Sequence, residues 1–155
     1  MRFSVLLFGV WVAAFLLAAP SFATDYPTYG SLKRDEVNVR TGPGTRYPIL
    51  WVFQRYGWPI AVLNRFENWY KIRDVEGEEG WVYAGMVSFA KTAVINGDEP
   101  ALVYKRADGT KPFLKVEPQN VVSVYDCTDY FCNIEIRDED GWVVKTRLSL
   151  PELGG

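Results

Sequence analysis

The 155-residue chain contains no histidine. That absence removes Ser-His and Cys-His nucleophilic catalysis, together with the usual histidine-containing zinc sites. Cysteine is nearly missing too, with Cys127 and Cys132 the only two. No block of basic residues occurs. Seventeen basic and nineteen acidic residues give a formal charge of −2. The chain therefore lacks an electrostatic grip on phosphates, which argues against nucleic acid or an anionic bilayer as partner. Beyond the N-terminal leader no run has the period or length of a confident helix, and at most one helical turn fits residues 83–86. Asp126, Asp129, Asp138, Glu139 and Asp140 lie near predicted hairpins without the spacing of a calcium loop, and turns favour Asp in any case. No metal site and no cofactor are expected.

What is present begins with an apolar leader. Met1-Arg2 supplies one charge, residues 3–19 are apolar apart from Ser4 and Gly9, and Pro20 ends the run before Ser21-Phe22-Ala23. This is the pattern of a secretory signal peptide over residues 1–23, with cleavage after Ala23. The rival is an uncleaved anchor, but the run is shorter than the ~20 residues that span hydrocarbon and no basic cluster follows it. No cysteine lies near the cleavage site, which disfavours a lipoprotein. Cleavage would remove one basic residue (Arg2) and no acidic one, taking the formal charge from −2 to −3. The expected location is periplasmic or secreted, without stable membrane insertion after cleavage.

The most informative segment is Val37-Asn38-Val39-Arg40-Thr41-Gly42-Pro43-Gly44-Thr45-Arg46-Tyr47-Pro48-Ile49. Alternation of Val37 and Val39 with Asn38 and Arg40 predicts a half-buried strand. Gly42-Pro43-Gly44-Thr45 predicts a type II turn, with Pro43 at the position fixed near −65° and Gly44 where φ is positive. Pro48 interrupts any continuous ladder.

The chain after the leader reads as one unit of about 60 residues used twice. Trp69-Tyr70-Lys71-Ile72 followed by Gly80-Trp81-Val82 ends the first copy. Phe131-Cys132-Asn133-Ile134 followed by Gly141-Trp142-Val143 ends the second. Upstream, residues 59–63 match 121–125, and Val103-Tyr104 matches Val39-Arg40. Short runs rich in Val, Ile, Trp and Tyr, broken by Gly, Pro, Asn and Asp, predict a small antiparallel barrel or sandwich in each copy, with the junction near residues 90–100. The expected hairpin turns are Glu76-Gly77-Glu78 and Glu139-Asp140-Gly141. Asn96-Gly97-Asp98 is expected to make the turn between the units. A unit this small has a marginal core, so the two should pack together.

Cys127 and Cys132 flank four residues between predicted strands. Opposed residues of an antiparallel pair lie within disulfide range, and an oxidising compartment favours the bond. It would staple the second unit's hairpin. The alternative, a redox pair, lacks the two-residue spacing and helix start of that chemistry.

Adjacent strand residues point to opposite faces. With Tyr70 and Ile72 inward, Trp69 and Lys71 face out; with Val82 inward, Trp81 and Tyr83 face out. Tyr47, Trp51, Trp58 and Phe66 lie in or beside loops. Any one ring can simply fill a small core, but a core of this size cannot easily hide Tyr47, Trp51, Trp58, Trp69, Trp81 and Tyr83 together. Rings with a polar edge suit extended peptides, glycan strands or a protein surface. Arg40, beside the Gly-Pro-Gly turn, can meet a carboxylate or remain a solvated charge. These residues are the candidate ligand-binding set.

The succession of residues 39–45, Trp69-Tyr70-Lys71-Ile72 and Gly80-Trp81-Val82 resembles the bacterial SH3-like (SH3b) domains. The resemblance covers residues 31–89 well, and residues 92–150 as a degenerate second copy. It implies five- to six-stranded barrels in tandem and noncatalytic targeting to peptidoglycan or envelope proteins. The cysteine pair also resembles that of exported tandem members. The second copy has Lys105-Arg106-Ala107-Asp108-Gly109 in place of the Arg-x-Gly-Pro-Gly turn, so the resemblance carries no binding role to that half. The chain is read as an exported binding module for cell-wall peptide, glycan or an envelope protein. A structural scaffold with a single envelope partner is the alternative, and an enzyme ranks far below both.

Overall fold

The structure, a computed structural model, describes residues 25–153; the leader and its cleavage after Ala23 lie outside them. The described residues are almost wholly β. The first half contains β1 (Thr28–Leu32), β2 (Val37–Arg40), β3 (Ile49–Phe53), β4 (Pro59–Phe66), β5 (Trp69–Arg73), β6 (Glu79–Tyr83) and β7 (Val87–Ser88). The second contains β8 (Thr92–Ile95), β9 (Ala101–Tyr104), β10 (Pro112–Val116), β11 (Val121–Cys127), β12 (Phe131–Ile136), β13 (Glu139–Val144) and β14 (Leu148–Ser149). A single 3-10 turn precedes the last strand of each half, at Ala84–Met86 and Lys145–Arg147.

The strands form two seven-stranded antiparallel sheets, ordered β3-β2-β6-β5-β4-β1-β7 and β10-β9-β13-β12-β11-β8-β14. The second order is the first shifted by seven strands, so the internal repeat read from the sequence extends to topology. Each sheet has one strand more than the upper count the resemblance implied. The two-residue strands β7 and β14 are too short to leave an alternating pattern. Pairing runs linearly from β3 to β7 and from β10 to β14, without a pair that joins the ends among the described residues.

Each sheet wraps its own apolar cluster. Val37, Val39, Ile60, Val62, Tyr70, Ile72 and Val82 lie in the first, and Ala101, Val103, Val122, Val124, Cys132, Ile134 and Val143 in the second. These sets occupy alternate positions of their strands, as a sheet with one buried face requires. The Gly-Trp-Val triplets have a steric cause. A β-carbon at Gly80 would overlap the Val39 side chain, and one at Gly141 would overlap Val103. Glycine lets β2 and β9 press their valines onto β6 and β13.

Two turn assignments differ from expectation here. Asn96-Gly97-Asp98 lies between β8 and β9, inside the second sheet, and the sheets meet at residues 89–91. The buried, uncharged run Thr92–Ile95 is itself a strand, which the nearby turn residues obscured. Residues 139–141 begin β13, and the hairpin turns instead at Arg137 and Asp138, with φ of 52° and 64°. That is the positive-φ pair of a tight hairpin turn, made here without glycine. The loop at residues 74–78 is a turn as expected, closed by Asp74 N donating to Glu78 O at 3.0 Å.

Cys127 and Cys132 stand opposite each other in the β11–β12 register and are bonded, stapling that hairpin. Between the halves, Thr92 Oγ1 donates to Gly57 O at 2.7 Å and Arg55 Nη1 to Gln119 O at 2.6 Å.

Candidate functional site

The outer face of the first sheet is built from alternate positions of β5 and β6. Trp69 pairs with Tyr83, Lys71 with Trp81 and Arg73 with Glu79. The residues between them, Tyr70, Ile72 and Val82, are buried, so the predicted inward and outward assignment holds across this hairpin. The Trp69 and Tyr83 rings meet edge to face at 5.9 Å, a geometry favoured by the ring quadrupole. At the other end, Glu79 accepts from Arg73 Nη2 at 2.7 Å and lies 2.6 Å from Lys71 Nζ. Hydrogen bonds from Lys71, then Arg73, hold the Glu79 carboxyl below its ordinary pKa.

Beside the Trp69–Tyr83 pair, β2 and the 3-10 turn leave a groove of about 220 Å³ lined by Glu36, Asn38, Arg40, Thr45, Trp69, Tyr83 and Met86, over the buried Val37. Tyr83 is 47% exposed, whereas Trp69 is half-buried. One wall is thus aromatic and thioether, and the other carries the amide of Asn38, the guanidinium of Arg40 and the exposed carboxylate of Glu36. Such a surface can stack a planar or apolar group and hydrogen-bond its polar edge.

Arg40 does local work as well. Its Nη1 donates to Tyr47 O at 2.7 Å and to Thr45 O at 3.1 Å, tying the 41–48 loop to β2. That loop is not the expected type II turn, since Gly44 has no positive φ. Gly44 N instead donates to Gly42 O at 3.0 Å, and Tyr47 N to Gly44 O at 3.2 Å. The requirement for glycine sits at Gly42, across which the Tyr47 ring lies.

The seven candidate binding residues do not converge on one place. Arg40, Trp69 and Tyr83 line the groove. Tyr47 shapes its loop, and Trp81 lies beside it, opposite both Arg40 and Lys71. Trp51 and Trp58 are elsewhere, packed with Phe53 against the first core. Trp51 meets Phe53 edge-on at 5.9 Å, and Phe53 lies 6.4 Å from Trp58. All six rings singled out as surplus, Tyr47, Trp51, Trp58, Trp69, Trp81 and Tyr83, are at least partly exposed. The sequence reading omitted Glu36, Asn38, Thr45 and Met86. Asn38 was visible as the outward residue between Val37 and Val39, but nothing local marked Met86. Among the described residues, no three His, Cys, Asp or Glu side chains are placed to hold a metal.

The second half repeats the groove with other residues. Leu102, Tyr104, Val144 and Arg147 stand where Asn38, Arg40, Tyr83 and Met86 stand in the first, around about 690 Å³. Arg147 spends its guanidinium on the Asn96 and Glu99 carbonyls.

The bacterial SH3 domain model matches residues 33–88, the stretch that holds this first groove. Over 137 residues the chain is 26% identical to YrvJ of Bacillus subtilis (strain 168), a candidate N-acetylmuramoyl-L-alanine amidase, covering 80% of this chain and 26% of that protein. Among solved structures, NlpC1 and NlpC2 from Trichomonas vaginalis are similar at 16% and 15% identity, each with a TM-score of 0.37. The similarity covers 93% and 81% of this chain, and 53% and 49% of theirs. The chain thus spans about a quarter of the curated relative and about half of these structures.

Proposed function

We propose that this chain is an exported, noncatalytic binding module, built of two SH3-like barrels at residues 31–89 and 92–150, that seats cell-wall peptide or glycan in the Arg40–Trp69–Tyr83 groove. The observation that carries the reading is the groove itself: the half-buried Trp69 and exposed Tyr83 beside a guanidinium, an amide and a carboxylate, within the segment matched by the bacterial SH3 domain model. The likeness to a candidate N-acetylmuramoyl-L-alanine amidase is consistent with a wall-derived ligand for this chain. The lack of histidine supports a role in contact without turnover. The leader supports delivery to the periplasm or outside. An envelope protein in the same groove is the remaining partner class.

Co-sedimentation with purified peptidoglycan tests this. Wild type should pellet with the wall, and Trp69→Ala or Tyr83→Ala should weaken retention by about tenfold or more, as for a central aromatic contact. Wild type left wholly in the supernatant would remove the wall-binding reading.

A further inference from the structure

The two sheets end in equivalent strands whose outer edges are unlike. Among the described residues, β3 is an end strand of the first sheet, paired only with β2, and β10 is the end strand of the second, paired only with β9. The registers align them residue by residue. Phe53 opposes Val37 as Val116 opposes Ala101, and Val52 opposes Asn38 as Lys115 opposes Leu102. Ile49 opposes Arg40 as Pro112 opposes Tyr104.

An open edge offers unpaired backbone donors and acceptors to any other strand, and proteins commonly guard it with lysine or proline. β10 carries both guards, Pro112 and Lys115. At the same positions β3 carries Ile49 and Val52, and its whole sequence, Ile49-Leu50-Trp51-Val52-Phe53, is uncharged. Ile49, Leu50 and Val52 are 47%, 50% and 38% exposed. The duplicated chain thus contains its own protected control, and β3 departs from it in the direction that permits pairing.

We propose that the β3 edge docks a second copy of this chain, strand against strand in antiparallel sense, about a twofold axis. Charge placement favours this occupant. A groove of about 450 Å³ beside the C-terminal end of β3 is lined by Phe53, Arg55, Trp58, Asp74 and Glu76, and Glu76 and Glu78 are exposed. Antiparallel pairing lays the N-terminal end of one β3 beside the C-terminal end of the other. The exposed Arg46, which stacks at 5.3 Å on Tyr47, then approaches the other copy's acidic 74–78 loop. A twofold axis makes that contact twice and uses both open edges, closing the assembly at two. A five-residue strand pair buries little area, so the association is weak, with a Kd in the range of about 1 μM to 1 mM.

Sedimentation equilibrium of the purified chain across that range provides the test. Wild type should pass from monomer to dimer, without higher species. Val52→Lys and Ile49→Pro/Val52→Lys, which copy β10, should raise the Kd by about tenfold or more. Lys115→Ala, on the guarded edge, should leave it unchanged. Hydrogen exchange of wild type supplies a measure that needs no variant: β3 amides should gain protection as concentration rises. A chain that remains monomeric at about 1 mM, or a dimer that persists in folded Val52→Lys, overturns the proposal.

Discussion

Tyr47 lies across Gly42 so closely that a β-carbon there would stand 2.6 Å from the ring. Gly44, two residues on, has room: its β-carbon would be 3.4 Å from the same ring, and its φ is not positive. The two glycines of the Gly-Pro-Gly turn are therefore unequal. Gly42→Ala should destabilise by about 1–3 kcal/mol through overpacking, while Gly44→Ala should be close to neutral. Urea unfolding of the two variants distinguishes this from a type II turn, for which Gly44 would be the sensitive site.

Arg40 links strand to loop through the Thr45 and Tyr47 carbonyls. Arg40→Ala should cost about 1–2 kcal/mol and speed hydrogen exchange across residues 41–48, leaving the β5–β6 amides protected. Arg40→Lys should recover only part of the loss, since both bonds leave from Nη1 at the tip of the longer, planar guanidinium, a position the shorter lysine does not reproduce.

Glu79 gives the first sheet a pH dependence. Its carboxyl is held below the ordinary value by Lys71 and Arg73. A carboxylate with a lowered folded pKa stabilises above its unfolded pKa, and that contribution disappears as pH falls through the folded value. Because Glu79 is partly exposed, a few tenths to about 1 kcal/mol is at stake. Unfolding followed from pH 7 down to pH ~2 should show this component in wild type but not in Glu79→Gln.

The two cysteines should differ once the bond is broken. Cys132 is wholly buried in the second core, whereas Cys127 is exposed. Either serine variant loses the staple, worth about 2 kcal/mol for so short a loop. Cys132→Ser should cost about 1–3 kcal/mol more than Cys127→Ser, because its hydroxyl enters an apolar cluster. Denaturant unfolding of both variants under reducing conditions isolates that difference.

Period-two patterning made much of this fold readable. It located the core faces of β2, β5 and β6, and the repeated triplets exposed the duplication that the two strand orders share. It could not show which loops bring distant rings together. Trp51 and Trp69 look equivalent as surplus aromatics, yet they lie on different faces: Trp51 pairs with the buried Val39 and turns to the core side, whereas Trp69 alternates with the buried Tyr70 and turns outward. Turn chemistry also misled where context overrode preference. Arg137 and Asp138 adopt positive φ, while Gly44 does not. Met86 reaches the groove only because a 3-10 turn carries the chain there, and no spacing in the sequence encodes that position.

The bond from the Thr92 hydroxyl to the Gly57 carbonyl bears on how the polypeptide can be dissected. A cut at residue 90 looks natural from the strand boundaries, but it strands a donor on one fragment and its acceptor on the other. It also separates Arg55 from Gln119. Expressing either fragment alone would bare a seam that the intact molecule keeps shut.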